Sequence, residues 1–120
     1  MFSPANARAM SAYRQVGVQT MVDSASPQQL IKMLFDGLLA SIHAAKGAME
    51  RRDIGEKVRH IGKAIRILQE GLLGALDREK GGELASNLAS LYEYCTAQLT
   101  LANARNDVAM VDEVAGLVAT

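Results

Sequence analysis

This sequence has little of the residue chemistry that marks several common classes of protein. Its 120 residues include one cysteine, two prolines and no tryptophan, and aromatic residues make up only 4%. A single cysteine excludes an internal disulfide and a zinc site built from several cysteines. Thirteen basic and thirteen acidic residues give a net charge of +0, so long-range attraction to nucleic acid or to an anionic membrane is not supported.

Long hydrophobic runs are missing as well. No apolar stretch approaches the roughly 20 residues that a membrane-spanning helix needs. The N-terminus also lacks the charged region and apolar run of a signal peptide. We therefore expect a cytoplasmic protein without membrane insertion, and the length allows one domain with one core.

The residues that are abundant favour helices. Hydrophobic side chains make up 49% of the chain, and they are mostly aliphatic, without the period-two patterns of strands. Ser26 with Gln29 predicts a capping box at one helix start, and Asp53 predicts a second start. Gly81-Gly82 predicts a break before the third helix. The predicted helices cover about 26–51, 53–77 and 83–104, with a short last helix from Asn106 or Asp107 to about 118.

Connections this short require antiparallel neighbours. The predicted fold class is therefore all-α, an antiparallel up-down four-helix bundle formed by residues 26–120. Residues 1–25 are rich in Ala, Ser, Gln and Met with weak periodicity. We expect them to form a mobile N-terminal segment, with a short helix that docks loosely on the bundle.

The first two long helices carry more apolar surface than one core-facing stripe needs. At about 100° per residue, each shows a predicted core stripe, a charged stripe and a further smooth, apolar side. Either the bundle buries both apolar sides, or one side binds a partner. The predicted core stripes are Ile31, Phe35, Leu38, Ile42, Ala45 and Met49; Val58, Ile61, Ile65, Leu68, Leu72 and Leu76; and, on the third helix, Leu84, Leu88, Leu91, Cys95, Leu99 and Ala102, with Tyr92 at the margin.

The smooth sides are the predicted partner-binding groove. Glycines inside helices cost up to about 1 kcal/mol each relative to alanine, which suggests that something packs closely against them. Methionine-bearing apolar surfaces adapt readily to helices of other proteins. Met10 and its neighbours in the N-terminal segment could cover such a groove. The predicted groove residues are Met33, Gly37, Ala40, Ala64, Ile67 and Gly71.

No pattern in the sequence predicts catalysis, a metal site or a cofactor. His43 and His60 have no second ligand at helical spacing, and Cys95 lies on an inward stripe, as a small hydrophobe would. Asp112-Glu113 lies on a short exposed helix and needs no acid–base role. The basic residues between positions 51 and 66 are interrupted by acids and lack stacking aromatics, so they predict a solvated face rather than a nucleic-acid site.

Taken together, the pieces resemble the flagellin export chaperone family, commonly called FliS. The resemblance covers about residues 12 to 118, and it depends on the order and spacing of short pieces rather than on one motif. The matching pieces are Ala12-Tyr13, Ser26-Pro27, Leu30-Ile31, Met33-Leu34-Phe35-Asp36-Gly37, Lys63-Ala64-Ile65, Leu76-Asp77, Gly81-Gly82, Leu88, Leu91-Tyr92, Tyr94 and Ala102-Asn103.

The resemblance implies an antiparallel helical bundle in the bacterial cytosol that binds the C-terminal segment of flagellin. It further implies that binding blocks premature polymerisation and helps deliver the subunit to the flagellar type III export apparatus. Contacts with an export-gate component and with other flagellar regulators are compatible with this role. By position, Tyr13 with Met10 would form an N-terminal plug that flagellin displaces.

Two features depart from the family pattern, and one alternative function is open. Phe35 stands where the family more often has tyrosine, and the chain ends at Val118-Ala119-Thr120 without the longer aromatic-ended tail of many members. The alternative function is that of a structural helical module that binds no client and forms a homodimer through its surplus apolar helix faces.

Overall fold

A computed structural model describes residues 26–119, which form four α-helices. The first, α1, spans Pro27–Glu50, and α2 spans Ile54–Arg66 and continues as a π-helical segment over Ile67–Leu73. The third, α3, spans Arg78–Arg105, and α4 spans Val108–Ala119. The predicted all-α fold class is confirmed. The predicted N-terminal segment, with Met10 and Tyr13, lies outside the described residues.

The capping residues act at the predicted helix starts. The backbone N–H of Gln29 donates to Ser26 Oγ at 3.2 Å, and the Ser26 N–H donates to Gln29 Oε1 at 2.8 Å, which completes the capping box of α1. The Asp53 side chain accepts from the Glu56 N–H at 3.2 Å at the start of α2. Asp107 accepts from the Ala109 N–H at 3.0 Å and begins α4. These local hydrogen bonds explain why the helix starts were predictable.

The third helix begins earlier than predicted. Asp77 caps it by accepting from the Lys80 N–H at 3.1 Å, so one turn precedes the predicted glycine break. The break itself is present as a kink at Gly82, whose φ of 54° and ψ of −132° are not helical. That backbone conformation is accessible mainly to glycine.

The four helices close into a ring. The α1 helix packs against α2 and α4, and α3 packs against the π-helical segment and α4. Lys57 Nζ near the start of α2 donates to the Asn103 carbonyl oxygen near the end of α3 at 3.1 Å, so these two helices run antiparallel. Lys46 of α1 pairs with Asp112 of α4 at 2.9 Å, which closes the ring.

The core lies opposite the charged stripe of each long helix. On α1 it centres on Leu34, Leu38 and Ala45, all 0% exposed, while Ile31 and Phe35 of the predicted stripe lie at its half-buried edge. On α2 it includes Ile61, but Val58 is 50% exposed. A charged side chain must stay in water, so the bundle buries the side farthest from the charges.

Two predictions on α3 are corrected. Leu84, predicted to point inward, is 57% exposed, whereas Tyr92, predicted at the margin, is 2% exposed. The inward positions near the start of α3 are taken instead by Ala85 and Ala89. Small residues there let the helices approach closely, and the tyrosine ring fills space deeper in the bundle.

The two glycines Gly62 and Gly82 should respond oppositely to alanine. An added Cβ would meet nothing within 4 Å at either position, so only the backbone conformation differs. Gly62 lies inside α2, where alanine is favoured by about 0.5–1 kcal/mol. Gly82 has a positive φ, where alanine costs about 1–3 kcal/mol. Chemical denaturation should therefore show Gly62→Ala more stable and Gly82→Ala less stable than the parent, and a stabilising Gly82→Ala would contradict this account of the kink.

Candidate functional site

The predicted groove residues on the second helix lie in the core. Ala64 and Ile67 are 0% exposed, and Gly71 is also buried. The π-helical segment turns Ile67, Leu68, Gly71 and Leu72 inward together, because its wider turn brings more neighbouring residues to one side. The structure thus corrects the placement of these three residues, which present no groove surface.

The predicted groove residues on the first helix reach the surface. Met33 and Gly37 are half-buried, and Ala40 is exposed. Met33 packs against the edge of the core cluster. These three residues therefore remain available for contact with a partner, and that role stays a prediction.

The sequence did not predict the apolar cavity that the structure forms between α1, α3 and α4. It has a volume of about 350 Å³. Phe35 and Tyr92 contribute aromatic rings whose centroids are 6.4 Å apart at an interplanar angle of 57°. The tilted contact is a favourable arrangement for two rings. The cavity is lined by Phe35 from α1, by Leu88, Leu91, Tyr92 and Cys95 from α3, and by Leu117, Val118 and Ala119 from α4.

Tyr92 is the one residue of this lining whose side chain carries a strong hydrogen-bonding group. Its hydroxyl oxygen is buried and has no hydrogen-bond partner among the described residues. Burial raises the pKa of Tyr92 to about 12, with a smaller contribution from Cys95. The hydroxyl is therefore protonated at neutral pH, and it is enclosed by the protein rather than open to the cavity.

The wall formed by α4 is held in place by polar contacts outside the cavity. The Tyr94 hydroxyl donates to Glu113 Oε1 at 3.0 Å, and Gln98 Nε2 donates to the same oxygen at 2.9 Å. The hydrogen bond to Glu113 raises the pKa of Tyr94. Together with the Lys46–Asp112 pair, these contacts attach α4 to both of its neighbours.

A second apolar feature lies on the outside of α2. Ile54 is 70% exposed and Val58, one turn later, is 50% exposed. The next turn on this side has Gly62, above which there is open space. We call Ile54, Val58 and Gly62 the α2 ridge. Residues at this spacing share one helix face, so the ridge offers a continuous apolar strip.

The two histidines and the cysteine that were considered for catalysis or metal binding lie in ordinary structural positions. His43 is exposed, and His60 Nε2 lies 3.1 Å from Glu56 Oε2. Burial raises the pKa of the Cys95 thiol to about 11, so at neutral pH it is the thiol and not the nucleophilic thiolate. Within residues 26–119, no three or more His, Cys, Asp or Glu side chains are grouped so that they could hold a metal ion. The helices of that range also include none with the length and apolarity to cross a bilayer.

Comparison with known proteins places this helical domain in a family. The family model described as flagellar protein FliS matches residues 9–120. The chain is 46% identical to the flagellar secretion chaperone FliS of Salmonella typhimurium, over 93% of this chain and 83% of that protein. It is 50% identical to the flagellar secretion chaperone FliSB of Pseudomonas aeruginosa, over 92% of this chain and 87% of that protein. It is also 44% identical to FliS of Escherichia coli, over 93% of this chain and 82% of that protein.

These matches extend over all four helices, including the cavity and the α2 ridge. The resemblance that the short sequence pieces indicated is confirmed, and the chain belongs to the family of the flagellar protein FliS.

Proposed function

We propose that this chain is a non-enzymatic export chaperone of the bacterial cytosol that binds the C-terminal segment of flagellin. Binding prevents premature polymerisation of flagellin and aids its delivery to the flagellar type III export apparatus. The relatives are named flagellar secretion chaperones. The observation that carries the proposal is the open apolar surface of a bundle whose core is otherwise complete: a cavity of about 350 Å³ and the α2 ridge.

The separation of the two apolar features favours a long client segment. The start of α2 lies beside Asn103, because Lys57 Nζ contacts its carbonyl oxygen. The cavity is lined on the same α3 helix by residues from Leu88 to Cys95. Eight to fifteen residues of helix separate these positions from Asn103, which corresponds to about 12 to 22 Å at 1.5 Å per residue. A client that contacts both features needs a segment of about four to seven extended residues or more.

Apolar residues of α1 and of the N-terminal segment belong to the same proposal. Met33, Gly37 and Ala40 on α1 add smooth apolar surface to the client-binding side. Met10 and Tyr13 of the N-terminal segment act as a plug that flagellin displaces. Burial of apolar area contributes about 25 cal/mol per Å² before the cost of ordering the client. Contacts with an export-gate component and with other flagellar regulators would follow client binding.

Calorimetric titration with a synthetic peptide of the flagellin C-terminal segment tests the proposal. The parent chain should form a tight complex, and Val58→Glu should weaken it at least tenfold, because a carboxylate on the ridge loses water when the client covers it. Val58 is half exposed, so this variant should keep the stability of the parent. Ser90→Glu, which adds the same charge at an exposed site on α3, should bind as the parent does.

The titration, together with a measurement of solution mass, also distinguishes the chaperone proposal from the alternative function. Absence of heat and of a complex with the parent chain would contradict the chaperone proposal. A stable dimer by analytical ultracentrifugation that the peptide does not dissociate would favour the homodimeric structural module instead.

A further inference from the structure

Positive charge is concentrated on and just before the second helix. Residues 51–66 hold six basic and two acidic side chains, although the whole chain has thirteen of each. Arg59, Lys63 and Arg66 recur at intervals of three or four residues and therefore share one face of α2. We call these three residues the basic stripe. At 100° per residue its centre lies about 100° around the helix from the α2 ridge, so an apolar strip and a cationic strip run side by side.

The chain itself neutralises only part of this positive charge. The carboxylates of Glu56 and Glu70 lie 2.7 Å and 4.0 Å from the two arginines of the basic stripe. Lys63, between those arginines, forms no ion pair with another described residue. Within the described part, Arg51 and Arg52 just before the helix form none either. Carboxylates of a partner can therefore pair with these three cations without displacing an existing contact.

Arg52 occupies a backbone position that favours glycine. Its φ is 57°, in the left-handed region that side chains other than asparagine and aspartate rarely adopt. The backbone there ends α1, because the Arg52 N–H donates to the Met49 carbonyl oxygen at 3.2 Å, and this hydrogen bond needs no charged side chain. The Arg52 side chain is exposed. An arginine at such a position indicates a role for its guanidinium outside the fold.

A helix fits the two strips better than a broad surface does. The α2 ridge is a row over two turns, about 12 Å long, and Gly62 leaves open space where a side chain would stand. A partner helix can approach α2 closely at that point. A helix with its side chains is about 10 Å wide, so it covers the two strips and little else. An anionic membrane would cover a wider face, and the chain as a whole has no net charge to attract it.

We propose that the α2 ridge and the basic stripe bind an amphipathic helix of the client segment, whose apolar side chains cover Ile54 and Val58 and whose carboxylates pair with Arg52 and Lys63. This assignment rests on the proposed function. The apolar contact supplies most of the affinity, because it removes hydrocarbon from water. The carboxylates fix the orientation of the client helix and speed its association.

Arg52→Gly separates the contribution of this residue to binding from its contribution to stability. Glycine relieves the left-handed backbone, so the free chain should be as stable as the parent or more stable in urea. In calorimetric titrations with the flagellin C-terminal peptide at low salt, the same variant should bind about fivefold more weakly. Asn106→Gly is the matched control, because Asn106 is also exposed with a positive φ of 51° but carries no charge. The control should bind as the parent does, and unchanged affinity of Arg52→Gly would overturn its assigned role.

Charge reversal at Lys63 tests the middle of the basic stripe. Lys63→Glu should lower peptide affinity at least about tenfold, because carboxylates would then face each other across the contact. Lys80→Glu makes the same change at an exposed site in the first turn of α3 and should bind as the parent does. Equal affinities of the two variants would overturn the assignment of the basic stripe.

A neutralised peptide tests the chemistry of the partner. When every Asp and Glu of the flagellin C-terminal peptide is replaced by Asn and Gln, the parent chain should bind it at least about tenfold more weakly at low salt. Raising the salt concentration to about 0.5 M should remove most of this difference, because salt screens exposed charge pairs. Equal affinity for the two peptides at low salt would contradict the inference.

The remaining outcomes separate this inference from the function on which it rests. Tight binding of both peptides by the parent and by all variants would overturn the inference and leave the chaperone function standing. Absence of binding by the parent would overturn both. Lys63→Glu could instead abolish sedimentation with phosphatidylserine vesicles, or a dimer of the parent, while peptide affinity stays unchanged. Either result would assign the two strips to a membrane or to a second copy and would overturn the inference.

Discussion

Replacing Ile67 by aspartate should unfold this protein rather than abolish partner binding alone. Ile67 is 0% exposed and belongs to the core cluster, although its place on the helical wheel suggested a groove. A carboxylate there would be buried without a partner, or the π-helical segment would have to leave the core to hydrate it. The expected loss is at least about 4 kcal/mol, which approaches the whole stability of a small domain. Far-UV circular dichroism and urea denaturation at neutral pH would measure it.

Gln69→Asp is the matched control for this change. It places the same carboxylate two residues later in the π-helical segment, at an exposed position. Surface substitutions of this kind usually change stability by no more than about 0.5 kcal/mol. An Ile67→Asp chain that is folded and as stable as Gln69→Asp would show that Ile67 faces solvent after all.

The neighbours Leu34 and Met33 on α1 should differ sharply when each is replaced by alanine. Leu34 is 0% exposed, and its truncation leaves a cavity that costs about 2–5 kcal/mol. Met33 is half-buried at the edge of the core, so its truncation should cost about 1 kcal/mol or less, in part because alanine favours the helix. For a domain of this size each kcal/mol lowers the melting temperature by about 4–8 °C.

This pair tests whether the core of α1 lies opposite its charged stripe. Both residues are adjacent, on the same helix, and both changes leave the helix propensity at the site as high as it can be. Differential scanning calorimetry of the two variants gives the comparison directly. A larger loss for Met33→Ala than for Leu34→Ala would place the core on the side that was predicted to be the groove.

The starts of three of the four helices were the most predictable part of the structure. Ser26, Asp53 and Asp107 accept hydrogen bonds from backbone N–H groups two or three residues later. Such contacts involve only neighbours in the chain, so a short stretch of sequence contains all the information they need. The earlier start of α3 at Asp77 was not predicted, because a glycine pair is typical of a break between helices, whereas here it forms a kink inside one helix.

Which face of each helix is buried was predicted less well. On α2 the apolar arc was divided into a core stripe and a groove, but the core centres between them, so Ala64 is buried and Val58 is half exposed. The charged stripe was the better guide, because burial of charge is costly and hydrocarbon is tolerated on both sides. How far the neighbouring helices cover an apolar arc depends on their distance and angle, which a helical wheel does not contain.

The cavity was the feature that local sequence patterns predicted least well. Phe35, Tyr92 and Leu117 come from three helices separated by dozens of residues, and no spacing rule connects them. The position of Tyr92 is an example: a tyrosine at the edge of an apolar stripe normally keeps its hydroxyl near water. Here the ring is buried beside Phe35, because α1 and α4 both close over it.

The abundance of aliphatic residues without period-two patterns, together with the capping residues, by itself determined an all-α protein of four helices and the approximate start of three of them. These properties are decided within a few residues of the chain or by its composition. Only the tertiary structure decided that Ala64, Ile67 and Gly71 belong to the core, that the Tyr92 hydroxyl is buried without a partner among the described residues, and that an apolar cavity stays open between α1, α3 and α4. The reason is that burial belongs to the assembled bundle: whether an apolar residue is covered depends on the helices packed around it.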